Sequence, residues 1–386
     1  MSENLPTTAE IVILGGGVMG ASTAYHLCKA GFKKVVLLER ESFFGTGATG
    51  RCAGGIRHQF NTEINIRLSQ LSLRMLDTLE EETGTAAQVR KCGYLFVLTR
   101  EADVVSFQKT VSLQNRLGVE TEWLNREEVR TLAHPCVFED AIAGSFNAED
   151  GLADPHSVVS AYIDASRHLG ACCLTGCNAT GIKTRGNKII NVQTNRGVIE
   201  TEKVVNACGP WSQVPAKWLG LDLPVQPLRR QWLMTNEIPQ FPKSFPFVID
   251  FAASLYFHRE GPGILTGMSN PHQPFGEDQN IDTEWENNHV EKAVQRMPLL
   301  AEAGIQARQA GLYEMTPDSH PIIGQTPVDG FFLLTGFSGH GFMQGPFCGK
   351  LLSELITEGM TKSLDISSLA FDRFEKDQLI QEYNVV

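Results

Sequence analysis

IVILGGGVMG, residues 11–20, is the stretch on which the fold turns. An apolar run, Ile11–Leu14, meets Gly15, Gly17 and Gly20 in the G-x-G-x-x-G spacing, and Val18–Ala30 reads as a helix that Gly31 stops. A second apolar run, Val35–Leu38, is followed directly by Glu39. Strand, glycine turn, helix and a strand ending in an acid make a dinucleotide-binding unit. Gly15 permits the tight turn, Gly17 lets backbone approach a pyrophosphate, and Gly20 lets helix and strand pack closely. The helix N-terminus offers unpaired N–H groups and partial positive charge to phosphates. Glu39 can accept ribose hydroxyls and would repel a 2′-phosphate. An ordinary βαβ turn with no ligand would leave three closely spaced glycines without a reason.

The rest of the composition sets limits. A chain of 386 residues can build a large core and two domains. At 42% hydrophobic and 20% charged it is ordinary for a soluble globular protein. Net charge is −11 with no long basic run, which argues against nucleic acid or anionic membrane as partner. A local arginine can still attract an anionic substrate. MSENLPTTAE has neither the basic nor the apolar region of a signal peptide, and no stretch is apolar for long enough to span a membrane. The nine cysteines show no framework spacing, as in reduced cytoplasmic proteins. Cys172, Cys173 and Cys177 cluster without an evident fourth ligand, so buried thiols explain them better than a metal site, and none is expected.

Beyond the first unit, Gly45–Phe60 is too dense in glycine for plain helix or strand and can lay its backbone along a ligand. Asn61 is placed to cap a helix carrying Ile64, Leu68, Leu71, Leu76 and Leu79 on one side and ending at Gly84. Tyr94–Leu98 reads as a strand, and Glu101–Leu117 and Val158–Leu169 as helices. Lys188–Val192 and Val198–Val205 alternate like a hairpin or meander. NACGPW, Asn206–Trp211, is a turn; Leu223–Met268 suggests short, mostly antiparallel strands; Gly311–Gly324 reads as another loop-rich stretch. Phe331–Leu334 is a strand, after which GFSGHG, Gly336–Gly341, leads into a helix bearing Phe347, Leu351, Leu352, Leu355 and Ile356. The expected architecture is α/β. A Rossmann-like nucleotide-binding domain is assembled from residues 1–88, 150–220 and 310–386. A sheet-rich α+β domain comes from residues 89–149 and 221–309.

Four stretches together resemble the D-amino-acid oxidase superfamily of FAD enzymes: GGGVMG, GATGRCAGGIRHQF, AGLYEMTPDSHPIIG (Ala310–Gly324) and GFSGHGFM (Gly336–Met343). Within it they are similar to sarcosine oxidase β-subunit-like proteins, glycine oxidase and L-proline dehydrogenase. The likeness runs from about residue 9 to about residue 360, with the motifs in fixed order. It implies FAD and oxidation of an amino acid or secondary amine: hydride passes to flavin N5 and the imine is hydrolysed. It implies cofactor contacts from Gly15, Gly17, Val18, Met19 and Gly20; Glu39 and Arg40; Gly47, Ala48, Thr49, Arg51, Cys52, Gly54 and Gly55; Ala179; Ala207, Gly209 and Trp211; Tyr313; and Gly336, Ser338, Gly339, His340, Gly341, Phe342 and Met343. The helix after GFSGHG would point its positive end at the flavin and favour its reduced anion.

For the substrate, the resemblance singles out Arg57, in the IRH position, as a carboxylate clamp, a task that suits the planar guanidinium fork. A structural ion pair, or a place on the flavin phosphate, is the alternative. His58 and Gln59 either line the same pocket or only pack. Tyr256 and His258 alternate onto one strand face that would look at the flavin, or else lie on an exposed edge. His340 either hydrogen-bonds near the flavin or only shapes its turn.

Two departures stand out. Met343 replaces a lysine that shares the clamp in monomeric sarcosine oxidase. No lysine lies between Lys243 and Lys292, where that enzyme carries its oxygen-activating one. A cation near the flavin stabilises developing superoxide, so the chain leans towards a dehydrogenase. The covalent-flavin cysteine of that enzyme would fall near Gly311, so the FAD is expected to be noncovalent. The expected partners are a small carboxylate-bearing amine and an electron acceptor or partner subunit. A flavin-carrying subunit of a larger amine dehydrogenase, or an assembly factor without turnover, are the competing readings.

Overall fold

A computed structural model of the protein describes residues 4–239 and 241–385. The first three positions of the stretch expected to carry no leader lie outside the described residues. The strand Ile11–Leu14 sits in a six-stranded sheet, between Val204–Asn206 on one side and Val35–Leu38 on the other. Cys172–Leu174 extends the sheet beyond Val35–Leu38, and Phe331–Thr335 and Ile322–Gln325 extend it beyond Val204–Asn206. All neighbours are parallel except the last pair. Ile11–Leu14 and Val35–Leu38 are buried throughout, as strands covered on both faces should be.

The helix Val18–Lys29 packs against the helix Gly341–Glu358. Their backbones approach so closely that a Cβ on Gly349 would strike Ser22, whose hydroxyl donates to the Pro346 carbonyl at 2.8 Å. Gly15 turns the chain at φ 107°, against the Ala207 carbonyl, which a Cβ there would hit. This packing brings the start of the C-terminal helix beside the N-terminal glycine turn.

An eight-stranded sheet stands apart from the first. Its order is Ile305–Met315, Gln226–Thr235, Gly263–Met268, Leu255–Glu260, Phe247–Asp250, Tyr94–Leu98, Ala143–Asn147 and Glu122–Asn125. It is antiparallel apart from the pairing of Phe247–Asp250 with Tyr94–Leu98. The mixed architecture, a parallel sheet with separate antiparallel ones, is that expected from the sequence.

Several local expectations need correction. Gly311–Gly324 is not continuous loop. It holds the end of Ile305–Met315, a strand that runs across the boundary drawn at residue 310, and the start of Ile322–Gln325. Val198–Val205 is divided between a three-stranded meander and the parallel sheet, because the chain leaves the meander after Glu200. Asn61 does not cap the helix it precedes. The helix Glu63–Asp77 starts from Thr62 without a side-chain cap of its own, and a turn at Thr78 separates it from Leu79–Thr83, which Gly84 ends. The Glu382 carboxylate sits ahead of the helix start, accepting from the Asn61 and Thr62 N–H groups at 3.0 and 3.3 Å. Asn61 meanwhile binds Gln381 and Tyr383.

Candidate functional site: a dinucleotide cavity and a side chamber

A cavity of about 660 Å³ opens at the C-terminal ends of the parallel strands, where ligands bind in such sheets. One end lies between Glu39 and Arg40, and the other reaches Tyr313, Gly339 and Phe342. The Glu39 carboxylate is held by the Gly16 and Glu41 N–H groups at 2.8 and 2.9 Å, and burial raises its pKa. The Arg40 guanidinium lies 4.0 Å over the Trp211 ring. Thr49 Oγ1 accepts from the Val18 N–H at 3.2 Å, fastening the glycine-rich loop across the helix start. A Cβ on Gly17 would come to 3.0 Å from that hydroxyl and fill this cradle. Two half-buried thiols stand nearby, Cys52 pushed up to about 11 and Cys208 to about 12 by desolvation, so both are protonated at neutral pH.

A chamber of about 100 Å³ adjoins this cavity, sharing Ala48, Arg51, Cys52, Leu312, Tyr313, Gly339 and Phe342 with it. Arg57, Arg230, Tyr94, Tyr256, Phe247, His340, Met343 and Val385 complete much of its wall. None of the described residues lining it is Asp or Glu. Arg57 is buried, with its guanidinium 4.0 Å over the Phe60 ring. Its two terminal nitrogens donate to the Gln59 and Asn384 carbonyls. Desolvation lowers its pKa.

His340 precedes the helix Gly341–Glu358, with its ring edge-on to Phe60 at 4.7 Å. Neither ring nitrogen has a hydrogen-bond partner among the described residues. Desolvation, and then the Arg57 charge, hold it neutral. Desolvation likewise keeps the Tyr256 and Tyr94 hydroxyls protonated.

Of the cofactor residues expected from the sequence, most line the large cavity, from Gly15, Gly17, Val18 and Met19 through to Gly341 and Phe342. Gly54, Gly55, Ser338, His340 and Met343 line the chamber instead. Gly20 and Gly336 line neither. Gly20 packs on the Gly15 carbonyl, and the Gly336 N–H donates to Glu314 at 2.9 Å. Tyr256 lines the chamber, whereas His258 lies behind it, stacked on Phe247 at 4.9 Å with Nδ1 on the Arg259 carbonyl. His58 and Gln59 also lie behind the wall, both bound to the buried Asp150 carboxylate.

Sequence reading missed Arg230, Tyr94, Phe247, Val385 and Glu314. Glu314 is buried, and its carboxylate also accepts from Thr335 at 2.8 Å, fixing the turn ahead of His340. Tyr94 and Phe247 carry no motif; the parallel pairing Phe247↔Tyr94 stacks their rings 4.1 Å apart.

A family model described as DAO, FAD dependent oxidoreductase, matches residues 10–355. Mitochondrial sarcosine dehydrogenase of Homo sapiens is 31% identical over 375 residues, 93% of this chain and 40% of that protein. Mitochondrial dimethylglycine dehydrogenase of Mus musculus is 30% identical over 389 residues, 95% of this chain and 44% of that protein. The chain thus spans less than half the length of these curated relatives. L-proline dehydrogenase from P. horikoshii superposes with a TM-score of 0.90 at 32% identity, over 97% of this chain and 100% of that one. Glycine oxidase from Geobacillus kaustophilus shares the fold, with a TM-score of 0.85 at 22% identity over 95% and 99% of the two chains.

Proposed function

The chain belongs to the DAO family of FAD dependent oxidoreductases, and from that premise we propose that it oxidises a small amine carrying a carboxylate, of the sarcosine, glycine, proline or N-substituted amino acid type. The cofactor is FAD, and the large cavity fits it: its size, the glycine turn at a helix start and the Glu39 carboxylate suit an adenine dinucleotide. Gly15–Met19, Glu39, Thr49 and Arg51 would hold it, with segments 1–88, 150–220 and 310–386 carrying it and 89–149 and 221–309 walling the chamber. Bound FAD supplies the two-electron acceptor that takes the hydride from the amine's carbon, leaving an imine for water to hydrolyse.

One observation carries this reading. The small chamber opens directly onto the end of the dinucleotide cavity, with arginine and tyrosine side chains around it and no acid among its described lining. Its volume suits a small amino acid. Neutral His340 offers an unpaired ring nitrogen to accept the amine's N–H, which orients the nitrogen lone pair. Phe247, Phe342 and Met343 exclude water from the reacting carbon.

The strands from Phe247 to Met268 carry no lysine, so the acceptor proposed is one other than oxygen. The nine cysteines, without framework spacing, support a reducing compartment, and the cytoplasm is the one proposed. Anaerobic bleaching of the yellow holoprotein by a panel of glycine, sarcosine, proline and N-substituted and D-amino acids tests the function. Loss of flavin colour with at least one supports it, and no bleaching by any overturns it. Reoxidation rates with oxygen and with an artificial dye then decide the acceptor.

A further inference from the structure

Two neighbouring arginines on the strand Gln226–Thr235 have opposite fates. Arg229 and Arg230 alternate across the sheet. Arg229 points away from the chamber and is paired with Asp278 and Asp282 at 2.8 and 3.1 Å. Arg230 points into the chamber. There its Nη1 reaches the Arg229 carbonyl at 3.2 Å, its Nε has no partner among the described residues, and it lies 5.4 Å over the Tyr313 ring. Its strand partner is Gly311, which also lines the chamber and whose missing side chain lets Arg51 pack closely there. A guanidinium partly withdrawn from water without an anion is unfavourable. The buried arginine of the chamber is already engaged: Arg57 spends both terminal nitrogens on backbone carbonyls, and its face lies on Phe60.

We propose that Arg230, rather than Arg57, receives the substrate's carboxylate, so that the chamber selects small amines bearing one carboxylate. The proposal rests on the reading of the protein as an amine oxidoreductase and names the anchor within that site. The incoming carboxylate supplies the anion that Arg230 lacks. Arg57, held by Gln59 and Asn384, adds positive field to the chamber and keeps its wall in place.

The test uses the FAD-loaded protein and cyclopentanecarboxylate, which has a carboxylate and no amine to oxidise, with cyclopentylmethanol as the uncharged control. Binding is read from perturbation of the flavin absorption bands. Arg230→Gln should raise the Kd for cyclopentanecarboxylate on the order of 100-fold, with cyclopentylmethanol unaffected. Arg230→Lys, which keeps the charge but loses the fork, should lose about 10-fold. In turnover the loss should fall mainly on KM. In the unaltered protein, cyclopentanecarboxylate should shield Arg230 from phenylglyoxal, as mapped by peptide mass spectrometry; this readout stands even if a variant does not fold. Unchanged Kd in Arg230→Gln, or labelling of Arg230 that ignores the carboxylate, overturns the proposal. Protection of Arg230 in a protein that no amine bleaches would support this anchor while overturning the oxidoreductase reading. Bleaching by amines with Arg230 unprotected would do the reverse.

Discussion

The large cavity and the small chamber are neighbours built in opposite ways. The large one is made chiefly of short, contiguous motifs: a glycine turn, a strand ending in Glu39, a glycine-rich loop and the GFSGHG turn. Backbone N–H groups and a helix start are what it would offer a dinucleotide, so its chemistry depends on local conformation. The chamber is made of single side chains from distant parts of the chain: Arg57, Tyr94, Arg230, Tyr256, His340 and Val385. Register and long-range packing bring them together. One region is specified by local backbone shape and the other by tertiary structure, and substitutions should separate the two.

The largest effect should come from the turn. Gly15→Val places a branched side chain at φ 107° against the Ala207 carbonyl. FAD retention after gel filtration, read from the ratio of flavin to protein absorbance, should fall at least about tenfold, equivalent to about 1.4 kcal/mol. Full retention would mean that the glycine turn is not the cofactor's cradle. His340→Ala should do the converse, keeping the flavin colour while lowering kcat on the order of 100-fold. Equal loss of flavin and turnover would erase the distinction between the two regions.

Acidity should sharpen the contrast, because the large cavity has no histidine in its described lining while His258 backs the chamber. Burial lowers His258, His26 and His289 to about 4. The unfolded chain takes up these protons near 6.5, so stability is full above that pH and falls as pH drops from 6.5 towards 4. Each imidazole should cost about 2 kcal/mol at pH 5. His258→Phe should recover about that much of the difference between urea denaturation at pH 7 and pH 5. The smallest effect is expected from Glu382→Gln, which removes the negative charge ahead of the helix Glu63–Asp77 and should cost about 1 kcal/mol. Its Tm should fall by a few degrees with the flavin still bound.

The same contrast explains what could be read before folding. Ile11–Gly20, Val35–Glu39 and Tyr94–Leu98 announce their structure because glycine spacing and apolar runs constrain the backbone locally. Arg229 and Arg230 look alike in sequence, and only the strand's register against Ile305–Met315 decides which meets Asp278 and which faces Gly311. Asn61 has the right residue type for a cap, but Gln381 and Tyr383 arrive from far along the chain and take up its side chain. Gly311–Gly324 looks like loop because its glycines, prolines and polar residues conceal two strand ends. Arg57 reads from the sequence as a carboxylate clamp, yet its partners are the backbone carbonyls of Gln59 and Asn384, which no side-chain pattern reveals.

The most direct test of the account is a crystal structure of the FAD-loaded protein with cyclopentanecarboxylate bound. The account predicts the flavin ring at the junction marked by Tyr313 and Gly339, and the ligand in the chamber with its carboxylate on Arg230. A flavin ring elsewhere, or a ligand that leaves the chamber unfilled, would contradict it.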